Sequence, residues 1–252
     1  MRMSLVIAGR EFRTLFLSPL AWTMLGVLQF ILAFMFLAQL DYYLTLQPKL
    51  ATLDDAPGVT DAIISPLFGN AGVILMLVTP LLTMRLISEE RRNKTLSLLL
   101  SAPVSMTEII VGKYLGILGF LLVVIAVVTL MPLSLYWGGT LDGGRLVANV
   151  LAVTLLVACY SAVGLYMSTL ASHPTVAAIS SFGVILVLWI LDWSSESGTT
   201  SGSVLRYLSM LRHYEGMLRG LVNTSDLAYF FLFIALFLVL AIQRLEFERI
   251  QD

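Results

Sequence analysis

The sequence predicts an all-α integral membrane protein with six transmembrane helices, an N-terminal interfacial helix and a charged cytoplasmic helix between spans two and three. Three observations predict it. Apolar residues make up 58% of the 252 positions and charged residues only 12%, whereas soluble chains carry roughly a quarter charged. Apolar runs recur along the whole chain, several of them long enough for a hydrocarbon core of about 30 Å, which takes about 20 helical residues to cross. The lysines and arginines also gather at alternate run ends, the asymmetry that orients membrane helices. Backbone groups in lipid must be satisfied within their own segment, so these runs are read as helices.

In chain order, residues 1–18 precede the first span. Arg10 and Arg13 lie a helical turn apart, while Leu5, Val6, Phe12 and Phe16 offer apolar surface. This pattern fits a helix lying in the membrane interface, with a frayed basic tail as the alternative. Spans are expected at about 20–40, 64–87, 114–137, 146–167, 176–193 and 227–242. Pro80 and Pro132 fall inside the second and third and are expected to kink them unless neighbours satisfy the freed carbonyls. Residues 168–175 form so short a loop that the fourth and fifth spans must be antiparallel neighbours. Residues 194–203 are rich in Ser, Gly and Thr, a loop composition. Apolar residues then recur at helical spacing over 204–221, among them Tyr207, Leu211, Tyr214 and Leu218. Arg206, Ser209 and His213 fall toward the other side of that amphipathic helix. The whole chain, 1–252, reads as one transmembrane domain, with 88–113 as a cytoplasmic loop and 194–226 as an outer loop.

Charge placement orients the chain. Arg2, Arg10, Arg13, Arg85, Arg91, Arg92, Lys94, Lys113, Arg244 and Arg249 fall on one side, which the positive-inside rule makes cytoplasmic. Both termini share that side. Lys49, Arg145, Arg206, Arg212 and Arg219 fall on the other.

The chemistry that the sequence lacks narrows the function. No catalytic set stands out, and His173 has no Cys, His or carboxylate cluster near it in sequence, so no metal site is expected. Gly112-Lys113-Tyr114 lacks the glycine-rich loop and the following Ser or Thr of a phosphate-binding loop, so the chain is not expected to hydrolyse ATP alone. The central turns of the spans are nearly free of ionisable groups, which argues against an ion-coupled pump. Gln29 and Gln39 are the main polar intrusions, read as packing hydrogen bonds or as lining of a pathway.

The stretch 88–116 is the most informative. Glu89, Glu90, Arg91, Arg92 and Lys94 form a dense charge cluster. Arg85–Glu89 and Glu90–Lys94 are each four apart and can pair on a helix. Leu96, Leu99 and Leu100 then form an apolar edge that Pro103 closes. Ser105 followed by Glu108 fits a capping box that starts the next helix. The leucines can insert into a groove on a soluble partner or pack back on the chain's own helices.

The run from Glu89 to Gly116 resembles the permease subunits of type-2 ABC transporters. It keeps Thr95, Leu96, Leu99, Leu100, Pro103, Gly112, Lys113 and Tyr114, and departs at Lys94, where glycine is usual, and at Ser97, where glutamate is usual. Gly9-Arg10-Glu11-Phe12 and Phe16 to Leu20, with Leu208-Ser209, His213-Tyr214-Glu215, Gly220, Asp226 and Tyr229-Phe230, are similar to a gliding-motility-associated, GldF-like branch. The resemblance implies a six-span permease of a bacterial cytoplasmic membrane, with both termini inside. It implies a homo- or heterodimer of permease chains bound to two ABC ATPase subunits, which would hold the ATP and Mg²⁺, and a possible companion with an outer domain. No cofactor is expected in this chain, and no nucleic acid among its partners. Glu89, Glu90, Arg91, Arg92, Thr95, Leu96, Leu99, Leu100 and Pro103 would form the ATPase-coupling region, with export of a substrate or transmission of motion to an outer protein as its output. Tyr207, Arg212, His213, Tyr214 and Arg219 are the candidates for an outer partner or gate.

Overall fold

The computed structural model describes residues 2–50, 58–96, 104–137, 141–191 and 209–251. All regular structure among them is helical, in nine α-helices with a π-turn and a short 3-10 turn. They are α1 (Arg2–Leu17), α2 (Pro19–Leu50), α3 (Ser65–Thr83), α4 (Ser88–Arg92), α5 (Met106–Ser134), α6 (Gly143–Leu170), α7 (Pro174–Ile190), α8 (Met210–Leu218) and α9 (Thr224–Gln251). By length and composition, five segments can cross a membrane: Pro19–Gln47, Thr60–Arg92, Met106–Trp137, Gly143–Leu170 and Thr224–Arg249. The expected fifth span corresponds to α7, 17 residues long, which at 1.5 Å per residue reaches about 25 Å. It runs from beside α4 to beside α8.

The bundle is built around α6. Of its apolar window 78% is buried, against 22% for α2 and 17% for α9, so α6 is the central helix and α2 and α9 present most of their apolar surface outward. Helices α3, α5, α7, α8 and α9 all pack on it. Small residues permit the closest approaches. A Cβ at Gly164 would lie 2.0 Å from the Thr83 Oγ1 of α3, and one at Gly72 would lie 2.9 Å from the Tyr214 ring. In a setting where lipid is as apolar as the side chains, such small-residue contacts let backbones meet and hold helices together.

The N-terminal helix lies along the first turns of α5. Gly112, Gly116 and Gly119 form the track. A Cβ at Gly116 would meet Glu11 Cβ at 2.7 Å and the Ala8 carbonyl oxygen at 2.9 Å, and one at Gly112 would meet Ile7 Cβ at 2.8 Å. Phe16 closes the far end, edge-on to Phe120 at 5.1 Å. Leu5, Val6 and Leu17 stay exposed on the opposite face.

Neither proline divides its helix. Pro80 stands one turn before the end of α3, where the Thr83 hydroxyl donates to the Thr79 carbonyl at 3.0 Å. Pro132 lies in the last turn of α5. Gln29 donates to the Val124 carbonyl of α5 at 3.2 Å, which favours the packing reading for that residue. The expected capping box forms in part: Ser105 Oγ accepts from the Glu108 backbone N–H at 3.2 Å, and the Glu108 carboxylate reaches the Ser105 hydroxyl at 3.4 Å.

Candidate functional site

The charged stretch after α3 forms a hub that four helices hold. The chain leaves α3 through a turn at residues 84–87, and Ile87 takes φ −124° at the start of α4. That turn has its own support. Ser168, near the end of α6, accepts from the backbone N–H groups of Ile87 and Ser88, both at 3.0 Å, and donates to the Met84 carbonyl at 3.0 Å. One buried hydroxyl therefore satisfies donors at a helix start that lack intrahelical partners.

From that fixed start, α4 directs its charges in two ways. Glu90 and Arg91 point inward. Glu90 Oε1 lies 2.8 Å from Lys113 Nζ of α5, and the same ammonium lies 2.6 Å from Glu11 Oε1 of α1. The Lys113 side chain is only 4% exposed, so a charge there needs carboxylates beside it. Arg91 Nη2 meets both oxygens of Glu248 on α9, at 2.7 and 2.8 Å, and the Thr169 carbonyl at 2.6 Å. That carbonyl belongs to the last turn of α6, where unpaired acceptors and the helix dipole favour a cation. Arg244 adds a contact to Glu248 at 3.4 Å. Helix α4 is thus bound by charge or hydrogen bond to α1, α5, α6 and α9.

Glu89, Arg92 and Thr95 point outward and are exposed. Leu96 is buried within the chain, so its surface is turned inward. Leu99, Leu100 and Pro103 lie outside the described residues. The two pairs expected from i,i+4 spacing do not form. The turn at residues 84–87 interrupts the helix between Arg85 and Glu89, and Glu90 is engaged by Lys113. Lys94 stands past the end of α4 with φ +56°. There the Thr95 N–H returns to the Glu90 carbonyl at 2.9 Å and the Lys94 N–H to the Arg91 carbonyl at 3.1 Å, the paired bonds of a Schellman helix stop. Position 94 is therefore one that takes a left-handed residue, the conformation that glycine adopts most readily.

The opposite end of the bundle carries α8. Its Tyr214 is buried and donates to the Phe68 carbonyl of α3; burial holds that hydroxyl well above its ordinary pKa, so it stays a donor. Ser65 at the start of α3 donates to the Leu218 carbonyl at 3.0 Å. The spacing puts His213 toward the polar side of this helix, but the structure buries it. Its Nδ1 lies 2.6 Å from Asp226, and its ring stacks on Tyr229 at 4.2 Å. Helix α9 covers that face, which sequence spacing alone does not reveal. Arg212 and Arg219 are exposed, and Tyr207 lies outside the described residues. Arg145 pairs with Asp61 and donates from Nε to the Arg219 carbonyl at 3.3 Å.

Sequence reasoning singled out neither Ser168 nor Glu248; it read Glu11 as part of a family segment, and Lys113 as an orienting charge and part of a family segment, without pairing the two. Lys113 carried a signal: a lysine at the start of an apolar run calls for a carboxylate on a neighbouring helix. Ser168 carried none, since a serine near a helix end is ordinary. Among the described residues no group of His, Cys, Asp and Glu is placed to hold a metal ion. No curated protein matches the chain. The model of the ABC-2 family transporter protein matches residues 5–249, nearly the full length. The chain therefore belongs to the ABC-2 transporter family, as a multi-pass membrane permease subunit of the kind that works with an ABC ATPase.

Proposed function

We propose that this permease receives the motion of an ABC ATPase at the exposed side of α4 and the segment that follows it, and uses that motion to export a substrate. The observation that carries the reading is the hub. A five-residue charged helix is tied by Glu90 and Arg91 to α1, α5, α6 and α9, so force applied to it reaches most of the bundle. Glu89, Arg92 and Thr95 offer the docking face, extended by Leu99, Leu100 and Pro103 along the sequence. ATP and Mg²⁺ belong to the partner. The reading assumes a bacterial inner membrane, both termini inside, a dimer of permease chains and a GldF-like branch with an outer-domain companion.

A second output has its own support. Helix α3 begins against α8, through Ser65 and Leu218, and ends at the turn that leads into α4. A continuous helix thus links the docking end to the helix that carries Arg212 and Arg219. Such a rod can pass motion to an outer protein without moving a substrate.

The test is co-purification with the cognate ATPase and measurement of its ATP hydrolysis. The double variant Leu99→Asp/Leu100→Asp is expected to insert normally while ATPase binding falls at least about tenfold, since desolvated apolar anchors dominate such contacts. Unchanged binding and hydrolysis would reject docking at this segment.

A further inference from the structure

The α4 end of the bundle also holds a polar cleft beside the proposed ATPase face. Between α1, the end of α3 and α4 lies a cleft of about 310 Å³. Arg10 and Arg85 both line it and are exposed, and among the described residues neither has a carboxylate partner. Lys113 also lines the cleft, but Glu11 and Glu90 both engage it and outnumber its charge. Glu89 lines it too and, among the described residues, forms no ion pair. Among the described residues Arg10 and Arg85 are thus the lining cations that no carboxylate engages, in a cleft whose three cations and three carboxylates balance. Guanidinium groups recognise phosphate through paired N–H donors.

Depth and lining indicate where the phosphate comes from. Ser18 on the cleft wall immediately precedes the start of α2, and Leu82 lies beside the end of α3. Trp22, one turn into α2, is exposed and donates its indole N–H to the Phe16 carbonyl at 2.6 Å. Tryptophan so placed marks the level of the lipid headgroups. Leu15, Leu82 and Leu86 give the cleft an apolar wall, which a lipid uses and a free phosphate does not.

We propose that this cleft binds a phospholipid, with Arg10 and Arg85 on the headgroup phosphodiester and the first methylenes of the acyl chains against Leu15 and Leu82. The bound lipid would clamp α1 to the end of α3, beside the hub. Glu89 is shared with the proposed ATPase face, but the two arginine contacts are tested in the permease alone.

The experiment uses the full chain in detergent, stripped of lipid and titrated with dioleoylphosphatidylglycerol or with inorganic phosphate. Binding is followed by native mass spectrometry and by the apparent melting temperature. The wild type is expected to retain the lipid near one per chain and to melt several degrees higher with it, with inorganic phosphate giving little protection. Replacing both cleft arginines, Arg10→Gln/Arg85→Gln, is expected to weaken lipid binding about thirtyfold, from the usual contribution of two basic groups at an anionic surface. The single Arg85→Gln is expected to weaken it about fivefold on the same basis and serves if the double variant does not fold. The charge-matched control Arg13→Gln/Arg249→Gln, outside the cleft, is expected to bind as the wild type does. Wild-type lipid binding in the folded cleft variants, an equal loss in the control, or equal protection by inorganic phosphate would each overturn the proposal.

Discussion

Lys94 shows what a single backbone angle asks of a residue. A side chain in the left-handed region is disfavoured by roughly 1 kcal/mol or more relative to glycine. Lys94 tolerates φ +56° because the two returning hydrogen bonds of the helix stop hold it there. Lys94→Gly is expected to stabilise the protein by about 1 kcal/mol, read as a higher apparent melting temperature in detergent, and Lys94→Val to destabilise it. Ser168 is the opposite case, a residue of common type with an uncommon task. Ser168→Ala leaves two buried N–H groups of the turn without an acceptor, at about 2–4 kcal/mol in total. It is expected to lower the melting temperature and to loosen α4, seen as faster amide exchange over residues 87–92. The charge cluster at 88–94 was legible in the sequence, because ionised groups between apolar runs stand out. Its wiring was not. The i,i+4 rule assumes an unbroken helix, and the turn at residues 84–87 redirects Glu90 and Arg91 to partners up to 157 positions away in sequence.

At the scale of elements, most helices were readable, since apolar runs of membrane length leave little choice of structure. Helices α2, α3, α5, α6 and α9 overlap the expected spans and extend beyond several of them, because polar residues at the ends continue a helix that composition alone would stop. The docking of α1 on α5 was less readable. Its signal was Gly112 and Gly116, four residues apart, a small-residue spacing that permits close helix contact. Gly116→Leu would drive a side chain into Glu11 and the Ala8 backbone, which sit 2.7 and 2.9 Å from where its Cβ would stand. Overpacking of this kind costs about 1–3 kcal/mol, and here it also pulls Glu11 from Lys113. The variant is expected to release α1, measured as protease cleavage within residues 2–17 that the wild type resists. Equal resistance would show that the glycine track does not hold α1. Helix α8 was read as an amphipathic surface helix, and the burial of His213 comes from α9, a partner far along the chain.

Among the described residues a central helix, α6, is ringed by α3, α5, α7, α8 and α9, with a charged hub at one end and a pinned amphipathic helix at the other. The hub connects four helices through Lys113, Glu11, Glu90, Arg91 and Glu248, and α3 runs from that end to α8. On the proposed reading, the hub is where a soluble motor acts on most of the helices. The claim is tested most directly by a photo-crosslinking amino acid placed in turn at Thr95 and at Arg219, both exposed and at opposite ends of the bundle, in cells that also make the cognate ABC ATPase. The account predicts that Thr95 captures the ATPase and Arg219 does not. Capture from Arg219, or none from Thr95 in an intact complex, would contradict it.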